Sequence, residues 1–224
     1  MPIFRRKRPA SRWSRPLVDP RLGVDSVKFP TFGWDQVRDE PTARAWMSDE
    51  GALLTVDFFP AYPDLPGLEP QQLERYFGSR HHHHEPARRL LIELALDHVH
   101  SVPLVRVITR EHLPERDRYA FQAALIAPFA RCYWVVKVGQ AEGDVTGVRE
   151  ALAFDKFARM HPDRIKADPP FGDFDPYGRE WDSENAPDAL DPLSSVRWYI
   201  ADVEANLTFG PEVLEQPAFD VRRM

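Results

Sequence analysis

Four consecutive histidines, His81, His82, His83 and His84, are the densest group of side chains suited to chemistry in this chain. Neutral imidazole is the commonest protein ligand for zinc and similar ions, so the run invites a metal reading. Neighbouring side chains diverge on a helix or a strand, however, and four in a row do not converge on one ion. Two of them could join Glu85, or groups elsewhere. The pair His84-Glu85 opens the two-histidine helical zinc motif, but the second histidine would fall on Arg88 and Pro86 intervenes, so the motif is absent. His98 and His100 form a second pair beside Asp97; at the start of a strand they would share a face. His98 also lies on the apolar stripe of a predicted helix, where a satisfied core histidine is the simpler reading. No cofactor is expected, and the histidine run is expected to take divalent metal only weakly and adventitiously.

Other chemistries find less. There is no nucleophile elbow, no phosphate-binding loop with lysine and no dinucleotide fingerprint. The single cysteine, Cys132, alternates into an apolar face, where a thiol packs rather than reacts. Eight Asp and Glu residues fall between 168 and 191 with no spacing that singles out an acid and a base. The stretch from Glu142 to Glu150, with two glycines ahead of a helix, could hold an anion or could simply turn a strand into that helix.

Binding chemistry has two candidates. Arg5, Arg6, Lys7 and Arg8, followed by Arg12 and Arg15, make a basic arm in a stretch of fifteen residues without Asp or Glu. Taking those six from the 29 basic residues leaves 23 against 35 acidic ones, a body of formal charge −12. An acidic body offers phosphate no basic face, so nucleic acid is expected only through the arm. Trp181, in the middle of the acidic, proline-rich loop, is the second candidate. A proline-stiffened loop bearing an exposed aromatic loses little entropy on docking.

The elements that must position these groups read as α+β. Residues 42–47 and 52–59 flank a polar connection ending in Gly51, a predicted hairpin. Four prolines between 59 and 70 make a loop. Helices are predicted over 69–77 and 85–98, the second from Pro86 and from Ala87, Leu91, Leu94 and His98 at helical spacing. Three strands follow, around 104–110, 119–125 and 132–138, with Phe121, Ala123 and Leu125, then Cys132, Trp134, Val136 and Val138, each defining an apolar face. A helix to about Met160 is predicted to bury Val148, Ala151, Leu152, Phe154, Phe157 and Ala158. A last helix opens at Pro192 after the N-cap Asp191, with Val196, Ile200, Val203 and Leu207 on one stripe.

The expected organisation is a flexible basic arm over 1–22, one domain over 23–210 with the acidic loop at about 161–191, and a tail over 211–224. Its fold is expected to be a largely antiparallel, curved sheet of about five to seven strands covered by amphipathic helices. One cysteine, no apolar stretch of membrane-spanning length and no apolar segment after the N-terminal charges point to the cytoplasm.

With those strands in place, Tyr119 to Ala153, YAFQAALIAPFARCYWVVKVGQAEGDVTGVREALA, resembles the late strands and following helix of the PsbP-like α/β/α sandwich superfamily. That superfamily includes photosystem II extrinsic proteins, the Ran-binding Mog type and many bacterial proteins; the resemblance implies a bacterial branch and spans roughly residues 23–207. The basic arm and the long acidic loop depart from it, and no catalytic motif defines the fold, so fold does not imply function. The reading is a non-catalytic cytoplasmic module that binds another protein, through Trp181 or the arm. The alternative is a metal-dependent enzyme using the histidine run or His98 and His100 with nearby carboxylates.

Overall fold

A computed structural model describes residues 19–80, 89–166, 174–184, 186, 187 and 190–220. Its centre is a seven-stranded sheet built from two antiparallel runs. The first run is β2 (Asp35–Glu40), β3 (Ala43–Met47) and β4 (Leu53–Phe59); the second is β5 (Arg89–Val99), β6 (Val102–Leu113), β7 (Arg118–Pro128) and β8 (Tyr133–Ala141). They join through β4 and β8, giving the order β2-β3-β4-β8-β7-β6-β5 with every neighbour antiparallel. A short strand, β1 (Val27–Lys28), pairs with β9 (Thr208–Phe209) outside this sheet.

The alternation in the sequence explains both faces. Phe121, Ala123, Leu125 and Ala127 on β7, with Trp134, Val136 and Val138 on β8, are buried beneath α3 (Pro192–Asn206). Cys132 is fully buried in the same core. Fully burying a side chain such as Phe121 or Leu54 stabilises by about 1.5–3 kcal/mol, so this layer dominates the fold. The predicted cap is present: the Asp191 carboxylate accepts the Ser194 amide at 3.3 Å, and Val196, Ile200, Val203 and Leu207 are buried as the stripe requires. On the opposite face α1 (Pro70–Arg80) sets Leu73 against Val105 and Val107. Helices on both sides of an antiparallel sheet make the α+β sandwich that the sequence predicts.

Two expectations need correction. The helix predicted over 85–98 is the strand β5 from residue 89 onward. Its register slips between Leu91 and Glu93, a bulge that puts Leu91 and Leu94 on the same face. A three-residue spacing on one face imitates a helical repeat, which is why the period misleads here. The second correction concerns α2 (Val148–Met160), whose buried residues are Arg149, Ala153 and Phe157, while Leu152 and Phe154 are exposed. Residues 211–220 pack against the domain. The short helix α4 (Pro211–Leu214) buries Val213 completely, and Ala130 donates to the Pro217 carbonyl at 3.0 Å.

Candidate functional site: a buried arginine network and the sheet edge it braces

Arg149 is 0% exposed in the first turn of α2, and its guanidinium is the hub of the polar interior. Its Nε donates to the Pro176 carbonyl at 2.9 Å. Nη2 donates to the Gly178 carbonyl at 2.7 Å and to Asp182 at 3.0 Å. Nη1 reaches Asp191 at 2.7 Å, Ser194 Oγ at 3.1 Å and the Trp181 carbonyl at 3.1 Å. A buried guanidinium is tolerated only when its charge is paired and its five N–H groups are filled, and a planar fork with several partners suits that task better than an ammonium. The helix supplies the reason for the placement. Arg149, Ala153 and Phe157 follow one another at four-residue spacing, so one stripe carries the hub and the apolar contacts beside it.

The network extends across the molecule. Arg197 of α3 donates to Asp182 at 2.6 Å and to the Tyr177 carbonyl at 2.7 Å. Arg106 of β6 pairs with Glu204 of α3 at 2.5 Å. Glu93, at the β5 bulge, is met by Arg179 and, at 3.5 Å each, by Arg106 and Arg197. Burial pushes the Glu93 carboxyl up, but Arg179 first, then Arg197 and Arg106, outweigh it and hold that carboxyl below the usual range. The Tyr177 hydroxyl donates to Glu150 at 2.6 Å and accepts from Arg110; burial, then Glu150, holds its proton on well above the ordinary range. Five arginines therefore meet five carboxylates in one assembly of α2, α3, β5, β6 and segment 174–184. Such an arrangement fixes geometry; it clamps that segment onto the sheet.

The predicted binding residue Trp181 is part of this clamp and not an exposed aromatic. It is 6% exposed, its indole donates to the Asp175 carbonyl at 2.9 Å, and it packs on Phe157 and Phe174. The acidic composition of the loop conceals the carbonyls and carboxylates turned inward to Arg149. His98 is exposed near the end of β5 and His100 is exposed in the β5–β6 turn at a φ of 49°. Among the described residues no group of three His, Cys, Asp or Glu side chains could hold a metal ion. His81 to His84 and Arg5, Arg6, Lys7 and Arg8 lie outside the described residues. The turn from Glu142 is closed from within: Glu142 accepts the Tyr119 amide at 3.0 Å and the Gly147 amide at 3.1 Å, with Gly147 at a φ of 73°.

The two ends of the sheet differ. β2 is short, fully exposed and charged, with Asp35, Arg38, Asp39 and Glu40 and a bulge between Gln36 and Arg38. Its shortness and charge keep that edge from pairing further, whereas a bulge is common to both edges. β5 runs for eleven residues, carries Leu90, Leu91, Ile92, Leu94, Ala95 and Leu96, and among the described residues pairs only with β6. Its bulge is where Glu93 is gripped from within.

No family model matches the chain, and no curated protein matches it. Among solved structures the chain is similar to the crystal structure of the Ran-binding protein Mog1p of Saccharomyces cerevisiae, at 8% identity and a TM-score of 0.47, over 82% of this chain and 90% of that one. Among the described residues no helix is long and apolar enough to cross a membrane.

Proposed function

We propose that the chain is a protein-binding module that takes an extended, apolar segment of another protein as an added strand along the outer edge of β5. The observation that carries this reading is the contrast between the two sheet edges: one blunted by charge, the other long and apolar. Strand addition draws affinity from main-chain hydrogen bonds and specificity from alternate side chains. The arginine network supports it, because an edge held rigid at Glu93 loses little entropy when a partner docks.

The test places a photo-crosslinking residue at Leu90 on the β5 edge or, as control, at Val37 on the β2 edge, both in the full chain and in cell extract. Both positions are about half exposed, so accessibility alone does not separate them. Discrete crosslinks to another protein from position 90, absent at 37, are expected. Ala95→Pro and Leu96→Pro refine the test, because adjacent residues of a strand turn their N–H groups to opposite sides. The variant that keeps its thermal midpoint has lost an outward donor, and it should lose the crosslink. Equal crosslinking at both edges, or an undiminished crosslink in that variant, overturns the reading.

A further inference from the structure

We infer that a cleft between the β3–β4 turn, the end of β8 and the first turns of α3 binds a small, uncharged, hydroxyl-rich molecule of monosaccharide size. The cleft has a volume of about 240 Å³ and is lined by Ser48, Glu50, Ala52, Gln140, Ser195 and Tyr199. Cavities that take drug-sized ligands run to about 300–1,000 Å³, so the occupant is smaller. It lies at β4 and β8, three strands from β5, and does not depend on the strand-addition reading.

Gln140 is the decisive residue. It continues the buried stripe of Trp134, Val136 and Val138 on β8, where another apolar side chain would serve packing better. It is only 7% exposed, yet its side-chain amide makes no hydrogen bond among the described residues. Its amide is not among the polar atoms sealed from solvent without a partner, so it opens into the cleft, where a bound molecule would replace water at its donor and acceptor sites.

Tyr199, Ser48 and Glu50 also turn polar atoms to the cleft. Tyr199 is 9% exposed, and its hydroxyl also makes no hydrogen bond among the described residues. Burial, then the Glu50 charge, keeps that hydroxyl protonated and a donor. Ser48 Oγ accepts the Ala52 amide at 3.0 Å, which leaves its proton for an outside acceptor. Glu50 supplies a carboxylate, and among the described residues no Lys or Arg lines the cleft, so anions are disfavoured. An ammonium would satisfy Glu50 but offers donors alone, leaving the Gln140 and Tyr199 protons unfilled. A hydroxyl both donates and accepts, and several of them on a compact skeleton match an amide, a phenol, a serine hydroxyl and a carboxylate together.

The site carries its own reporter. Tyr199 lies in an aromatic group with Trp34 and Trp198, at centroid distances of 4.9 and 5.1 Å. The full chain would be titrated with D-glucose, with myo-inositol and separately with methylammonium, followed by tryptophan fluorescence and by the Gln140 side-chain amide resonance. Saturable binding of at least one polyol that moves the Gln140 resonance is expected, weakened about tenfold by Gln140→Leu and by Tyr199→Phe. Gln140→Leu should keep or raise the thermal midpoint; if it fails to fold, Tyr199→Phe alone decides. The inference is overturned by the absence of a saturable response to either polyol, by a response to methylammonium alone, or by affinities unchanged in the folded variants.

Discussion

Replacing Arg149 should unfasten the loop from the sheet. Arg149→Met keeps most of the side-chain volume but removes the charge, leaving Asp191, whose side chain is 2% exposed, without its cation, and the carbonyls of Pro176, Gly178 and Trp181 short of donors. Removing one partner of a buried ion pair costs about 3–5 kcal/mol. For a domain of this size that lowers the thermal midpoint by roughly 6–20 °C. Arg149→Lys keeps the charge but supplies three donors where five were used, and roughly 2 kcal/mol is the expected loss. Thermal and urea unfolding give the magnitudes, and tryptic cleavage after Arg179 reports release of the segment. The coupling is measured with Asp191→Asn, which retains an acceptor for the Ser194 amide. The double variant should be less destabilised than the sum of the singles by about 1–3 kcal/mol. The reasoning is refuted if Arg149→Met lies within about 1 kcal/mol of the parent, or if the singles add to within about 0.5 kcal/mol.

Two further outcomes follow from the interior. Burial pushes the Cys132 thiol up to about 11, so the native protein at neutral pH should resist a thiol-specific disulfide reagent and react fully once unfolded; rapid native labelling would contradict the packing. Glu93 has a folded-state pKa below the unfolded value of about 4.3, so its contribution is complete above that pH and is lost as pH falls through the lower folded value. The midpoint difference between the parent and Glu93→Gln should therefore be largest at neutral pH and shrink below about pH 4; a difference independent of pH would mean that the arginines do not act on this carboxylate.

What was legible in the sequence was what repeats. β7 and β8 alternate cleanly because each has one face under α3, and α3 announced itself with a capping aspartate, a proline and a four-residue stripe. β2 gave no signal because all six residues are exposed, so nothing in it is selected to alternate. β5 gave a false one, since a bulge adds one residue and turns a period of two into a local period of three. Arg149 was hidden by the habit of reading arginine as surface. A trace was present nonetheless: it stands four residues before Ala153 and eight before Phe157, on the face the helix buries. Trp181 was misplaced for the complementary reason, because a loop rich in carboxylates reads as solvated unless its cations, on α2 and α3, are known to lie beneath it.

The bulge and the network are one device. Without the extra residue at 91–93, Glu93 would share the face of Leu91 and point toward α1, away from Arg106, Arg179 and Arg197. With it, Glu93 turns inward to three arginines while Leu94 and Leu96 remain on the α1 side. The terminal strand is thus held from inside the molecule, through a side chain, at the point where its pairing with β6 is weakest. A strand held in that way keeps its outer N–H and C=O groups in a fixed row without another strand beside it. That is the property a docking edge needs, and it accounts for why so much buried charge is gathered at this end of the sheet. It also separates two consequences of losing Glu93: the fold should survive with reduced acid sensitivity, while the β5 edge loses its brace. Glu93→Gln should therefore weaken the Leu90 crosslink more than it lowers the thermal midpoint, and a folded variant with an undiminished crosslink would sever the network from the edge.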